Sequence, residues 1–234
     1  MLAPMPHAEP PTSLWLRADD PRPGPRPAHT LEQLAEACVG LADADGLRAV
    51  SMRRVAQELG TAAASLYRYV AGKDDLVALM VDRVAAEYRY PTLTGDVRTD
   101  VLALAEQARQ LHRRHPWLSV AGTTTLGPHS MRYLDHMVGA LAPTGLDATA
   151  TMMGIALLSG WVTTFAAQEA AGLSAPTAGG GAEHITAMLA HGDYPHLAGL
   201  LASAGGNAGA TPVDNDAAFR AGIEALLFGI APHP

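Results

Sequence analysis

Ser51-Met52-Arg53-Arg54-Val55-Ala56-Gln57-Glu58-Leu59-Gly60-Thr61-Ala62-Ala63-Ala64-Ser65-Leu66-Tyr67-Arg68-Tyr69-Val70-Ala71-Gly72-Lys73 is the stretch that decides how the chain is read. Ser51 is a helix N-cap residue, and Met52, Val55, Ala56 and Leu59 follow at the three- and four-residue spacing that gives a helix one apolar face. Gly60 ends that helix, because glycine accepts the left-handed conformation in which the chain reverses. A second helix then turns Leu66 and Val70 inward and leaves Ser65, Tyr67, Arg68 and Tyr69 on a side able to bond phosphates or base edges. Two short helices joined by a tight turn are a helix-turn-helix. The charged residues from Ser51 to Lys73 are Arg53, Arg54, Arg68 and Lys73 against Glu58 alone, a positive footprint in a chain of net charge -7. An acidic whole opposes non-specific coating of nucleic acid, so a local basic patch fits a site-specific binder.

The surrounding residues complete a module. Thr30 caps a helix predicted to run to about Ala44, with Leu31, Leu34, Ala35, Cys38, Leu41 and Ala42 on one side and Gly46 at its end. After Ala71-Gly72, Asp74 and Asp75 favour a new helix start, with Lys73 left beside it for a phosphate. Leu76, Leu79, Met80, Arg83 and Val84 lie on this fourth helix, which links the module to everything downstream.

Four groups of residues together resemble the DNA-binding domain of the tetracycline-repressor (TetR) family. They are Ser51-Met52-Arg53-Arg54-Val55-Ala56, Leu59-Gly60, Ser65-Leu66-Tyr67-Arg68-Tyr69-Val70 and Lys73-Asp74-Asp75-Leu76, and the resemblance is strongest over residues 29 to 76. It implies a homodimer in which two recognition helices read an inverted repeat in double-stranded DNA. Carried onto matching positions, it makes Arg53, Ala63, Ser65, Tyr67, Arg68, Tyr69 and Lys73 the DNA residues. Tyr67 and Lys73 would hold phosphates, Ser65 and Tyr69 phosphate or base edge, and Arg53 and Arg68 guanine. For each tyrosine the competing role is core packing. Ala62-Ala63-Ala64 departs from the usual pattern, which shifts base readout towards thymine methyl groups, the two arginines and DNA shape.

The chain has 234 residues, of which 48% are hydrophobic. Its mean hydropathy is +0.08, the profile of a soluble protein with a substantial core. The single cysteine, Cys38, reads as a buried thiol. The first residues lack a basic n-region and an apolar h-region, so the expected location is cytoplasmic. Three segments are predicted: a proline-rich arm over 1–28, the helix-turn-helix domain over 29–75, and an α-helical ligand-binding and dimerisation bundle over 76–234. In the arm, Leu14-Trp15-Leu16 is the apolar cluster and either docks on the body or wanders. Arg17, Arg22 and Arg26 read equally well as a minor-groove arm and as a solvated tail.

Downstream everything reads as helix, and the fold class is all-α, since no segment alternates with period two. One helix carries Val97, Val101, Leu104, Ala108 and Leu111 and stops before Pro116. The next follows Gly127-Pro128 with Met131, Leu134, Val138 and Leu141 predicted inward. Residues 148–168 hold no charge, yet scattered Thr and Ser, Gln168 and the lack of flanking Lys or Arg argue against a membrane span. A central bundle helix, the most buried element, is expected instead, and no membrane partner. Glu183–His191 and Pro195–Ala204 read as one interrupted or two short helices between glycine-rich linkers. The last helix, about Asp216 to Ile230, has a stripe of Phe219, Gly222, Ile223, Leu226, Leu227 and Ile230. The family resemblance pairs it and the preceding long helix with their counterparts in a second subunit, with Gly222 allowing the approach.

The resemblance also implies a small-molecule effector among the bundle helices. Candidates for a mostly apolar cavity are His112, Trp117, Tyr133, His136, Met137, Met152, Trp161, Thr164, Phe165 and Gln168, each of which equally suits plain core packing. The expected function is a ligand-responsive transcriptional regulator, a repressor by default, with no cofactor and no catalytic residue. His112, His115, His129 and His136 sketch a competing metal sensor, and a constitutive regulator with a filled bundle is a second alternative. An enzyme is disfavoured, because no nucleophile elbow, His-Glu-x-x-His or dinucleotide fingerprint is present.

Overall fold

A computed structural model describes residues 14–15, 28–122, 125–172, 182–203 and 214–230. Among these residues there is no strand, and the fold is all-α. Ten helices are described: α1 (Leu31–Asp45), α2 (Met52–Glu58), α3 (Ala63–Leu66), α4 (Lys73–Ala85), α5 (Val97–Arg114), α6 (Pro128–Leu141), α7 (Ala148–Ala170), α8 (Ala182–His191), α9 (Pro195–Ser203) and α10 (Asn215–Ile230). The chain forms two compact units, one of Met1–Arg89 with Val120–Asp135 and one of Tyr90–Ser119 with His136–Pro234. The division falls inside α6, between Asp135 and His136.

In the first unit α1 packs on α4 and α2, and α2 on α3. The start of α1 is a reciprocal cap: the Gln33 N–H donates to Thr30 Oγ1 at 3.1 Å, and the Thr30 N–H donates to Gln33 Oε1 at 2.9 Å. Leu34, Ala35, Cys38, Leu41 and Ala42 are its buried face, and Gly46 ends it at φ +79°. The Cys38 thiol is fully buried, and burial pushes its pKa up to about 12, so it stays protonated. Ser51 Oγ accepts from the Arg54 N–H, and the chain reverses at Gly60 with φ +63°. Leu66 and Val70 are buried, as are Val50 and Val55. Each such side chain contributes roughly 1.5–3 kcal/mol relative to exposure.

In the second unit α5, α7 and α10 pack on one another. Asp96 and Asp147 cap α5 and α7 through the N–H groups of Thr99 and Ala150. These bonds hold the Asp96 carboxyl below its usual pKa. Burial of Asp100 opposes its charge, but the Thr94 and Gly95 N–H groups and the Thr94 hydroxyl outweigh it and lower its pKa. The core centres on Phe219, Ile223, Leu158 and Leu104.

Three expectations are corrected. On α6, Met131 and Val138 face solvent, while Met137, Ala140 and Leu141 are buried. Leu141 is buried as expected and Leu134 half-buried, so the error is confined to Met131 and Val138, two apolar residues seven apart on the exposed side. The helix α7, at 23 residues long and apolar enough to cross a membrane, is not the most buried element, because a third of its most apolar window is buried. It buries Gly154, Ile155, Leu158, Val162, Phe165 and Ala166 and exposes Met152, Met153 and Leu157. Gly222 serves the chain's own packing, since a Cβ there would run into the Trp161 indole. That close approach lets the Trp161 Nε1–H donate to the Phe219 carbonyl at 3.2 Å.

Candidate nucleic-acid interface and the charged core of the second unit

The helix-turn-helix exposes a compact polar surface because its apolar residues are spent inward. Arg53, on α2, is exposed. The α-helical part of the second element is a single turn, Ala63–Leu66, and Tyr67 to Tyr69 continue it as tighter turns closed by the Tyr69 N–H to the Leu66 carbonyl at 2.9 Å. Tyr67 is 60% exposed and Arg68 is exposed, whereas Ala63 and Ser65 are half-buried. Tyr69 is half-buried too, and its hydroxyl accepts the His29 N–H at 3.1 Å, so it fastens the start of the module to α3. Lys73 is exposed at the first turn of α4 and its Nζ lies 3.4 Å from the Leu47 carbonyl. The Asp75 carboxylate accepts the Ala71 N–H, which holds the turn leading into Lys73. Arg54 is tied to Asp45 at 2.7 Å, an ion pair that the local charge count does not show and that offsets the Arg54 charge.

The effector candidates have different immediate surroundings. Tyr133 belongs to the first unit and stacks on Tyr88 with ring centroids 4.6 Å apart. In the second unit, Trp161 and Phe165 join Phe219 in an aromatic cluster with centroids 5.5 and 5.3 Å apart. His112 Nδ1 lies 3.0 Å from Ser119 Oγ, and burial lowers the pKa of His112, which favours the neutral ring. His136 meets the Tyr90 ring edge-on at 5.1 Å, and Trp117 and Met137 are buried. Gln168 is half-buried, while Met152 and Thr164 stand on the outer side of α7. Among the described residues no three His, Cys, Asp or Glu side chains come together as a metal site.

The sequence reading missed the charged group at the heart of the second unit. Arg109, on α5, is 5% exposed, and its guanidinium lies 4.7 Å from the Phe219 ring centre and 5.1 Å from that of Phe165. It donates twice to Glu169 of α7, at 2.5 and 2.9 Å, and reaches Asp216 of α10 at 2.9 Å. Arg113, one turn along, shares both carboxylates. Burial penalises the Glu169 charge, but the two arginines more than offset it and bring its pKa down to about 2. Burial likewise opposes the Arg109 charge, and the same partners raise its pKa further. The signal in the sequence was slight: two arginines four apart on α5, and one glutamate closing an uncharged run.

An exposed helix-turn-helix surface on a helical module, followed by a helical bundle, places this chain in the TetR family of bacterial regulatory proteins, to which it belongs. The family model for bacterial regulatory proteins of the tetR family matches residues 30–80, and that for the tetracyclin repressor-like C-terminal domain matches residues 90–233. The family and these relatives are transcriptional regulators rather than enzymes. The HTH-type transcriptional repressor DrrR1 of Streptomyces coeruleorubidus is 41% identical over 153 residues, 64% of this chain. That match spans 57% of the repressor, little more than half its length. An HTH-type transcriptional regulator of Saccharopolyspora erythraea is 32% identical over 227 residues, 94% of this chain and 92% of that protein. Among solved structures, apo ActR of Streptomyces coelicolor superposes with a TM-score of 0.71 at 29% identity, covering 87% of this chain and 97% of ActR. ActR in complex with actinorhodin gives 0.66 at 29% identity over 87% and 95% of the two chains.

Proposed function

We propose that this chain is a cytoplasmic, ligand-responsive repressor that binds an inverted-repeat operator as a homodimer and leaves it when a small, mostly apolar effector enters the helical bundle. The observation that carries the reading is the exposed set of Arg53, Tyr67, Arg68 and Lys73 around a short second helix. With Ala63 and Ser65 beside them and Tyr69 bracing the turn, these residues suit a major groove and its two phosphate walls. ActR, whose structure was solved in complex with actinorhodin, supports a small-molecule effector.

The dimer is supported by the outer side of α7, where Met152, Met153 and Leu157 are exposed, and by small exposed residues on α10, Ala221 and Ala225. Apolar side chains in such a row are the usual mark of a covered surface. A footprint on the DNA upstream of the chain's own gene tests the reading, repeated with compounds made by enzymes encoded nearby. The expected result is a protected, two-fold symmetric site that one of those compounds releases. An asymmetric half-length footprint would overturn the homodimer, and a chain carrying Leu157→Glu that still sediments as a dimer would overturn the α7 interface.

A further inference from the structure

Among the described residues, the most buried carboxylate of the first unit lies outside the set proposed to face DNA. Asp82, on α4, is 5% exposed, and its Oδ1 accepts the Ser130 N–H of the first turn of α6 at 2.8 Å. The chain enters α6 through Gly127, which is buried, and a Cβ built there would strike both the Asp82 carboxyl and the Trp15 indole. Gly127 is therefore pressed between a carboxylate from α4 and a tryptophan from far upstream. Leu14, next to that tryptophan, is 3% exposed. A few residues further along, Tyr133 of α6 stacks on Tyr88 just beyond α4. So α4, which follows directly on the helix-turn-helix, holds the front of α6 by a charge-assisted cap and an aromatic stack, and Leu14–Trp15 sit over the cap. A carboxylate bonded to a helix-start N–H weakens when water reaches it, because the low-dielectric surroundings are what strengthen the bond. From Ser130 the helix runs without a break to Met137, Ala140 and Leu141, which are buried residues of the other end of α6.

We propose that Leu14–Trp15 is a clasp that keeps water from the Asp82 cap and thereby fixes the front of α6 to α4, the connection along which DNA binding and the bundle sense each other. Opening the clasp loosens α6 at its start without touching any residue that faces DNA. Closing it holds the front of α6 on α4.

Hydrogen exchange on the full-length chain tests this without an effector. In Trp15→Ala, amides of residues 127–135 should exchange about tenfold faster, with residues 31–45 and 150–166 unchanged. Asp82→Ala should give the same local loss, and Asp82→Asn, which keeps an acceptor oxygen, should restore most of the protection. With an operator duplex obtained by binding-site selection, the wild-type chain should gain protection over 137–141, and Trp15→Ala should bind the duplex within about threefold yet lose that gain. Unchanged exchange at 127–135 in Trp15→Ala, or equal acceleration over the whole chain, would overturn the clasp. Protection of 137–141 that survives in the variant would overturn its coupling role. This DNA arm rests on the regulator reading. If no duplex binds, that reading fails, while the exchange of the free chain still decides the clasp.

Discussion

Arginine is used in opposite ways in the two units. In the first, Arg53 and Arg68 are exposed on a surface kept polar by burying Val55, Leu66 and Val70 behind it. In the second, Arg109 is buried between Phe165 and Phe219 and held by two carboxylates from two other helices. An exposed guanidinium costs little to keep and adds little to the fold, so it is available to a partner. A buried one is locked to its carboxylates, because removing one charge strands the other away from water. The contrast fits the proposed division, with recognition in the first unit and structural specification in the second.

The sharpest break of this comparison is Arg109→Ala, which leaves Glu169 buried with Arg113 alone and should lower unfolding free energy by about 3–5 kcal/mol, read from the denaturant midpoint. A loss as small as that of an exposed arginine would erase the distinction. Arg53→Ala should leave stability unchanged while costing about 1–3 kcal/mol of discrimination at one position of each half-site, measured by binding to a panel of operator variants. Lys73→Ala should weaken every variant alike and reduce the salt dependence of binding by about one ion per half-site. Equal loss on every sequence for both variants would contradict this division. Acid should act on the second unit. Glu169 has a folded-state pKa near 2, below its ordinary value of 4.5. Its contribution is therefore complete above about pH 4.5 and fades as pH falls towards 2, and Glu169→Gln should flatten that part of the stability curve. Smallest is Asp45→Ala, which removes a half-exposed partner of Arg54 and should change stability by about 1 kcal/mol or less.

What could be read in advance was local. Thr30, Gly46, Ser51 and Gly60 announce helix ends through their own backbone chemistry, and the helix-turn-helix follows from residues a few positions apart. The misreadings concern which side of a helix meets what. Met131 and Val138 look like a core stripe, but hydropathy does not tell a buried face from an exposed one when both are apolar. The helix α7 is apolar on all sides, which suggests burial all round, yet Met152, Met153 and Leu157 on its outer side are exposed. Arg109 and Glu169 are 60 residues apart, and Trp15 and Gly127 more than a hundred, so nothing in either neighbourhood points to the other. The residues proposed to face DNA could be named together because they sit in one short motif. The effector candidates are drawn from three helices and the turn holding Trp117, so no single short motif ties them together.

The notch at Gly222 also makes the molecule its own reporter. The chain has three tryptophans, and one of them, Trp161, lies in that notch with its ring nitrogen bonded to the Phe219 carbonyl. With Trp15 and Trp117 replaced by phenylalanine, the colour of the remaining indole's emission would track the spacing of α7 and α10, and a spectrometer could follow that spacing with no label attached.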